Sequence, residues 1–396
     1  MDATPSFDRA IAFAQELIRI PSPPGGEGDL AARVLAELRG LRFDDVWSDA
    51  SGNVLGRIRG RGEAPAVMLS CHLDAVDIGD PDGWQIPPFE GRIQDGFLHG
   101  RGAMDIKGPL ALQTFAAAAF VEHRPAGDLI VAHTVLEERG GWGMESLLEA
   151  GEARPGAVII GEATAGDLCV GHRGRAELIV ELRGLAGHAS APERARNPLD
   201  IAGAVLEALR AFTAALESDP ILGPSTLVPT AVETLPRSRN VIPDRVRIVL
   251  DWRVLPDVTP QSAVRRVADH LGEQVVVPAG FELAVHPATE RQHTWTGRSE
   301  DRRLFTPGFL LATDHPVTTA AAAAIRTATG RDPRIRPWTF ATDGGHTCGV
   351  HGIPTVGFAP GEERHAHTDS ERLDLAAARV AFDAYPALIR AVQSAL

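Results

Sequence analysis

The chain has 396 residues, a formal net charge of −13, 44% hydrophobic and 23% charged residues. That length exceeds one ordinary core and predicts two domains of ordinary globular composition. The acidic balance argues against nucleic acid or an anionic membrane as partner, and no apolar run reaches the length of a membrane span.

Residues 7–20 have helical apolar spacing, stopped by Pro21-Ser22-Pro23-Pro24-Gly25-Gly26. A second amphipathic helix follows at 30–41. Residues 53–58 and 66–71 read as strands, the second apolar enough for a buried parallel one. The stretch 79–102 is Asp-, Gly- and Pro-rich loop, and 109–123 is an alanine-rich helix. Strands at 129–136 and 157–160, with helix 143–149 between them, imply a mainly parallel sheet covered on both faces. From about Ala176 the pattern changes. Strand 176–183, helix 198–216, strands 225–234 and 245–253, helix 260–271 and strand 281–285 spell β-α-β-β-α-β, the split βαβ unit. Residues 288–313 show no clear period and are expected to form a long surface connection. Helix 317–329, strand 355–358 and the segment 373–392 resume the α/β pattern. The expected fold is therefore α/β: a mainly parallel catalytic domain, 1–175 and 289–396, with an inserted α+β domain, 176–288.

Acidic residues and histidines gather where these elements end. They are His72 and Asp74 in S-C-H-L-D, Asp105 in G-R-G-A-M-D, Glu137 and Glu138 in V-L-E-E, Glu162 in I-I-G-E-A-T, and His367 in H-A-H-T-D-S-E. A side chain at a strand end can project into a crevice above the sheet. Two divalent metals need this mixture: neutral imidazoles, carboxylates, one of them bridging, and one carboxylate left unligated to handle protons. Alone, H-x-D is common and reads as a satisfied core pair, and Glu137-Glu138 as a charged loop. The ordered set favours a site. Cys71, Cys169 and Cys348 are far apart without a C-x-x-C, which suits a reducing cytoplasm. Cys71 reads as an inert buried thiol. Met1-Asp2-Ala3-Thr4 lacks the basic start of a signal peptide. G-x-G-x-x-G, G-x-x-x-x-G-K-[ST] and G-x-S-x-G are absent, so neither nucleotide binding nor a serine nucleophile gains support.

These ordered motifs, with G-H-A-S at 187–190 and the His367 to Glu371 spacing of H-x-x-x-E, resemble the M20 metallopeptidases over nearly the whole chain. That family includes acetylornithine deacetylase, succinyl-diaminopimelate desuccinylase, aminoacylases and carboxypeptidases. The resemblance implies that His72 and Glu162 hold one metal, Glu138 and His367 the other, and that Asp105 bridges both. It implies Glu137 as general base, and His188 as a lid histidine that reaches the partner's site and stabilises the oxyanion. Asp74, on the same side of its strand as His72, is expected to fix the imidazole. Asn240, Arg253 and Gly345 are candidate substrate contacts; for the first two a turn contact or a structural salt bridge competes. A cis peptide is implied at Asp105–Ile106.

The expected protein is a cytoplasmic two-metal amidohydrolase, a homodimer through its lid domain, cleaving a small N-acyl amino acid or related amide. Zinc is the default ion; a carboxylate-heavy site also accepts cobalt or manganese. The alternatives are a metallo-dipeptidase or carboxypeptidase, and an inactive binding protein of the same fold.

Overall fold

The computed structural model describes residues 5–396, and the Met1-Asp2-Ala3-Thr4 opening lies outside them. The chain divides into two compact units. One comprises Met1–His172, Gln292–Glu300 and Leu310–Leu396; the other comprises Arg173–Arg291 and Asp301–Phe309.

The first unit is built on an eight-stranded sheet. Its order is Asp45–Ser48, Val54–Ile58, Leu129–Thr134, Val67–His72, Ala157–Ile160, Thr355–Gly357, Leu168–Cys169, Ile335–Arg336. Val67–His72 pairs parallel with both neighbours, and Thr355–Gly357 continues the parallel set. Antiparallel pairs occupy the Asp45–Ile58 side. Every residue of Val67–His72, Leu129–Thr134 and Ala157–Ile160 is buried. Strands buried on alternate residues alike have both faces covered. Helix Lys107–Ala118 is likewise buried along its whole length; its small alanines let it lie in the core beside Phe13, Leu17 and Tyr385.

Register decides where the chemistry goes. Val67 lies opposite both Leu129 and Ala157, and His72 opposite Thr134. The carboxyl ends of three neighbouring strands therefore finish at the same end of the sheet. The residues that follow, Asp74, Glu137, Glu138 and Glu162, leave from that end, where parallel sheets present their ligand sites. The Asp105–Ile106 peptide is cis, as expected.

The second unit has four long antiparallel strands in the order Thr226–Leu235, Arg245–Val254, Gly174–Arg183, Glu282–Pro287, with Phe305–Thr306 pairing Gly174–Arg183. Burial alternates strictly along Arg245–Val254. Val246, Ile248, Leu250 and Trp252 share a core with Val205, Leu209 and Phe212 of helix Leu199–Ala214 and Val267 and Leu271 of helix Pro260–Gln274. Both helices thus cover one face, and the split βαβ order is the observed one.

Residues 288–313 differ from expectation. They contain strands Thr289–His293, Ser299–Arg303, Phe305–Thr306 and Phe309–Leu310 rather than one irregular connection. Charged residues fill both faces of Ser299–Arg303, so no apolar alternation marks it. Trp295, within this stretch, donates its indole N–H to the Gly52 carbonyl at 3.1 Å. Gly52 is at φ +98°, and a Cβ there would meet the Trp295 ring nitrogen at 2.1 Å, so only glycine fits.

Candidate metal centre

Asp105 stands at the middle of the site with one oxygen toward each of two histidines. Its Oδ1 is 3.2 Å from His72 Nε2, and its Oδ2 is 3.2 Å from His367 Nε2. His72 Nε2 also lies 3.2 Å from Glu162 Oε1, and His367 Nε2 lies 3.2 Å from Glu138 Oε1. The five residues thus form two three-residue groups that share Asp105. Donor atoms of His72, Asp105 and Glu138 lie within 4.8 Å of one another, as do those of His72, Glu137 and Glu162.

The donor set fits a pair of divalent ions. Ligand atoms about 2.0–2.1 Å from a tetrahedral ion lie roughly 3.3 Å apart, the separation seen in all four contacts. Electrostatics points the same way. Four carboxylates, of Asp105, Glu137, Glu138 and Glu162, converge with only two imidazoles. Burial and then the Asp105 charge push Glu162 up to about 7. Burial, Glu162, Asp343 and Glu138 push Glu137 well above the carboxylate range, against the pull of His72. Burial would lower His72, but bonds to Asp105 and Glu162 hold it well above its ordinary value. Bonds to Asp105 and Glu138 raise His367 to about 10. Burial would also raise Asp105, yet the two histidines keep it low. Such a cluster of acids is far cheaper to bury around cations than alone.

Supporting contacts come from around the unit. His72 Nδ1 is 2.7 Å from the backbone carbonyl oxygen of Asp74, while the Asp74 carboxylate is 3.7 Å away. That carboxylate instead accepts the Glu137 N–H on Oδ1 and the Glu138 N–H on Oδ2, both at 3.1 Å. Asp74 therefore reaches the imidazole by its main chain and the acidic pair by its side chain. Glu371, known from sequence only as the end of H-x-x-x-E, is buried. It accepts the Met104 and Asp105 N–H groups at 3.1 Å and pairs with Arg101 at 2.7 Å. Lys107, the only lysine, is fully buried. Its ammonium donates to the Ile20 carbonyl at 2.7 Å, and burial lowers its pKa to about 7. Asp343 is buried with Oδ2 accepting from Thr134 at 2.7 Å. Gly345 opens the helical turn Gly345–Val350 two residues later. Cys71 is buried and directs its thiol to Gln113.

The remaining candidates belong to the second unit. Exposed His188 sits in a two-stranded ribbon opposite Val241, its Nδ1 accepting from the Ser190 hydroxyl at 2.7 Å. Asn240 immediately precedes the ribbon's strand Val241–Ile242; its backbone oxygen accepts the Ala189 N–H at 3.1 Å, and Ser238 donates to its side chain. Arg253 Nε donates to Asp251 at 2.8 Å, the salt bridge that competed with a substrate role. Sequence reasoning gave no role to Arg101, Glu27 and Asn53: Arg101 stands inside G-R-G-A-M-D, where only Asp105 was singled out, and Glu27 and Asn53 lie at a helix start and in a loop with no motif of their own.

Comparison with known proteins follows the same line. The uncharacterized protein YgeY of Escherichia coli K12 is 31% identical over 366 residues, covering 91% of this chain and 88% of that protein. A protein of Pyrobaculum aerophilum, provisionally named a LysW-lysine/LysW-ornithine hydrolase, is 30% identical over 371 residues, 93% of each. The crystal structure of the M20 family metallo-carboxypeptidase Sso-CP2 from Sulfolobus solfataricus shares the fold, with TM-score 0.76 at 16% identity over 98% of this chain and 100% of that one. Residues 68–391 match the profile of peptidase family M20/M25/M40, and the chain belongs to that family of hydrolases of amide and peptide bonds.

Proposed function

We propose that the chain is a two-metal amidohydrolase that releases an amino acid from a small N-acyl derivative or a related amide. The observation that carries this reading is the pair of 3.2 Å contacts from the two oxygens of Asp105 to His72 and His367. One carboxylate facing two separate histidines is suited to bridge two ions. In this reading His72, Asp105 and Glu162 hold one ion, and Asp105, Glu138 and His367 the other. Zinc is the ion expected first, with cobalt or manganese as substitutes. When bound, the ions supply Lewis acidity to the scissile carbonyl and to the attacking water.

The chain's own residues supply the rest. Glu137 adjoins the Glu138 ligand and makes no pairing contact with either histidine. It accepts the proton of the attacking water and returns it to the leaving nitrogen as the C–N bond breaks. Asp74 orients this pair through its two amide contacts. His188 donates to the developing oxyanion, and Asn240, Arg253 and Gly345 contact the substrate. Residues 176–288 act as the lid, and the outer strand Thr226–Leu235, with Val228 and Val232 exposed, pairs with its copy in a homodimer. Among the described residues no helix is long and apolar enough to cross a membrane, and the three free cysteines support a cytoplasmic setting. The Pyrobaculum relative, named for lysine and ornithine conjugates, supports an amino-acid amide as substrate.

The test is a panel of N-acyl amino acids, carbamoyl compounds and dipeptides, run on protein reconstituted with each metal. Preferential hydrolysis of an N-acyl amino acid is expected. Preference for a dipeptide replaces the substrate assignment, and no turnover on any class with saturating metal overturns the catalytic reading.

A further inference from the structure

Four consecutive backbone amides run into and through the Glu137–Glu138 pair. Each ends on a buried side-chain oxygen from a distant part of the same unit. The Val135 N–H donates to Asn53 Oδ1 at 2.9 Å, and the Leu136 N–H to Glu27 Oε1 at 3.3 Å. The Glu137 and Glu138 N–H groups donate to the two oxygens of Asp74 at 3.1 Å. Asn53 and Glu27 are 0% exposed and Asp74 1%. Water therefore cannot take over any of these bonds, and a lost acceptor leaves a buried donor unpaired.

The middle of the row needs holding. Leu136 is at φ 56°, ψ 33°, in the left-handed region that a residue with a side chain avoids. This turn lets two successive amides reach one carboxylate. It also lets the Glu138 side chain meet His367 while a Glu137 carboxylate oxygen lies within 4.8 Å of donor atoms of His72 and Glu162. Glu27 Oε1 accepts a second bond, from the Gly25 N–H at 2.9 Å, which fixes that oxygen under Leu136. Asn53 is fixed from its other end: Nδ2 donates to Asp49 at 2.6 Å and to the Gly143 carbonyl at 2.9 Å, so its oxygen faces Val135.

We propose that Glu27 and Asn53 are positioning residues for hydrolysis: they hold the Val135–Leu136 backbone so that Glu137 presents its carboxylate to the reacting water. The proposal rests on the reading of Glu137 as base. Neither residue touches substrate or reacting atoms. Released from Glu27, Leu136 relaxes toward an ordinary backbone conformation and carries Glu137 out of place.

The experiment measures kcat and KM of metal-loaded Glu27→Ala, Glu27→Gln and Asn53→Ala, and amide hydrogen exchange of the same proteins without metal. Glu27→Ala should lower kcat by about 10–100-fold with KM within about threefold, the range seen when supporting residues around metal sites are lost. Exchange at 136–138 should rise at least about tenfold, while 67–72 keeps its protection. Glu27→Gln retains an acceptor oxygen and should recover most of the lost kcat; a merely structural site would gain nothing specific from that rescue. Asn53→Ala should show a smaller fall in kcat and faster exchange at Val135. Folded Glu27→Ala with kcat within about twofold of wild type, or with unchanged exchange at 136–138, overturns the proposal. So does a loss of protection spread evenly over the unit. If Glu27→Ala does not fold, Asn53→Ala carries the same test, and unchanged kcat and exchange there overturn it. Glu137→Gln separates the two readings. If that variant stays active the base assignment fails, whereas the exchange pattern in metal-free protein still reports whether Glu27 and Asn53 hold the segment.

Discussion

The two units differ in which buried acids they match with arginine. In the first, Asp74, Asp105, Glu162 and Asp343 are buried with no arginine or lysine against them among the described residues, whereas Glu371 meets Arg101 and Asp167 meets Arg331, Arg334 and Arg336. In the second, charges stand on one sheet face and are matched. Glu181 receives Arg183 at 2.7 Å and Arg247 at 2.9 Å, with Arg245 at 3.9 Å, and Asp251 receives Arg175 and Arg253 at 2.8 Å. Matched charges on a half-open face need nothing further. Buried carboxylates without matching cations carry a cost that bound cations would offset. The contrast points to the same cluster as the motifs.

The largest expected effect breaks the comparison at its root. If ions balance the buried acids, exhaustive chelation should abolish activity and added zinc, cobalt or manganese should restore it. Full activity at nil metal content, measured by elemental analysis, would falsify the two-metal reading. Next comes the proposed base. Glu137→Gln keeps the shape but cannot accept a proton, so kcat should fall at least ~10²-fold with metal content near wild type. Near-normal turnover removes Glu137 from its role. A third test joins the units. His188→Ala and Glu137→Gln, each inactive alone, are mixed; if His188 acts across a dimer, one site of each mixed dimer regains both groups and activity returns. Stable mixed dimers that stay inactive show that it does not.

Smaller effects sharpen the contrast in stability. His133 is fully buried beside Thr114, with burial alone depressing it to about 3. Its folded pKa lies below the unfolded value, so the unfolded chain binds the extra proton. Its contribution is fully present above about pH 6.5 and is lost as pH falls toward 3, by up to roughly 1.4 kcal/mol per pH unit. His133→Gln should therefore show a shallower loss of stability in denaturant melts between about pH 4 and 6; an unchanged slope rejects this. Smallest is Glu181→Gln. Its partners are about one-third to one-half exposed, so solvent screening limits the loss to about 1 kcal/mol, without change in metal content. A loss several times larger would show that the outer face is as demanding as the metal site.

Much of this was legible in the sequence, and the reason is local. His72, Asp105, Glu137, Glu138 and Glu162 follow apolar strands or glycine-rich turns, so their motifs also say where they project. The strict alternation of Arg245–Val254 announced a one-sided sheet. Glu27 and Asn53 were not legible because their partners are backbone amides 109 and 82 residues away, and a backbone amide leaves no trace in residue type. Asp74 was legible in place but not in manner: H-x-D suggested a carboxylate on the imidazole, whereas the carbonyl does that and the carboxylate turns to the acidic pair. The strands between 288 and 313 escaped because Thr289–His293 and Ser299–Arg303 are polar on both faces and Phe305–Thr306 and Phe309–Leu310 are only two residues long, so neither kind shows the hydrophobic period that reading a sequence relies on.

The buried Lys107 has a practical consequence. It is the chain's only side-chain amine, and it is sealed in the core with its nitrogen on the Ile20 carbonyl. An amine-directed reagent can modify that side chain only when the first unit opens around it. The rate of that single modification, read by mass spectrometry, is therefore a clock for how often this core comes apart, with no label, tag or engineered residue to disturb it.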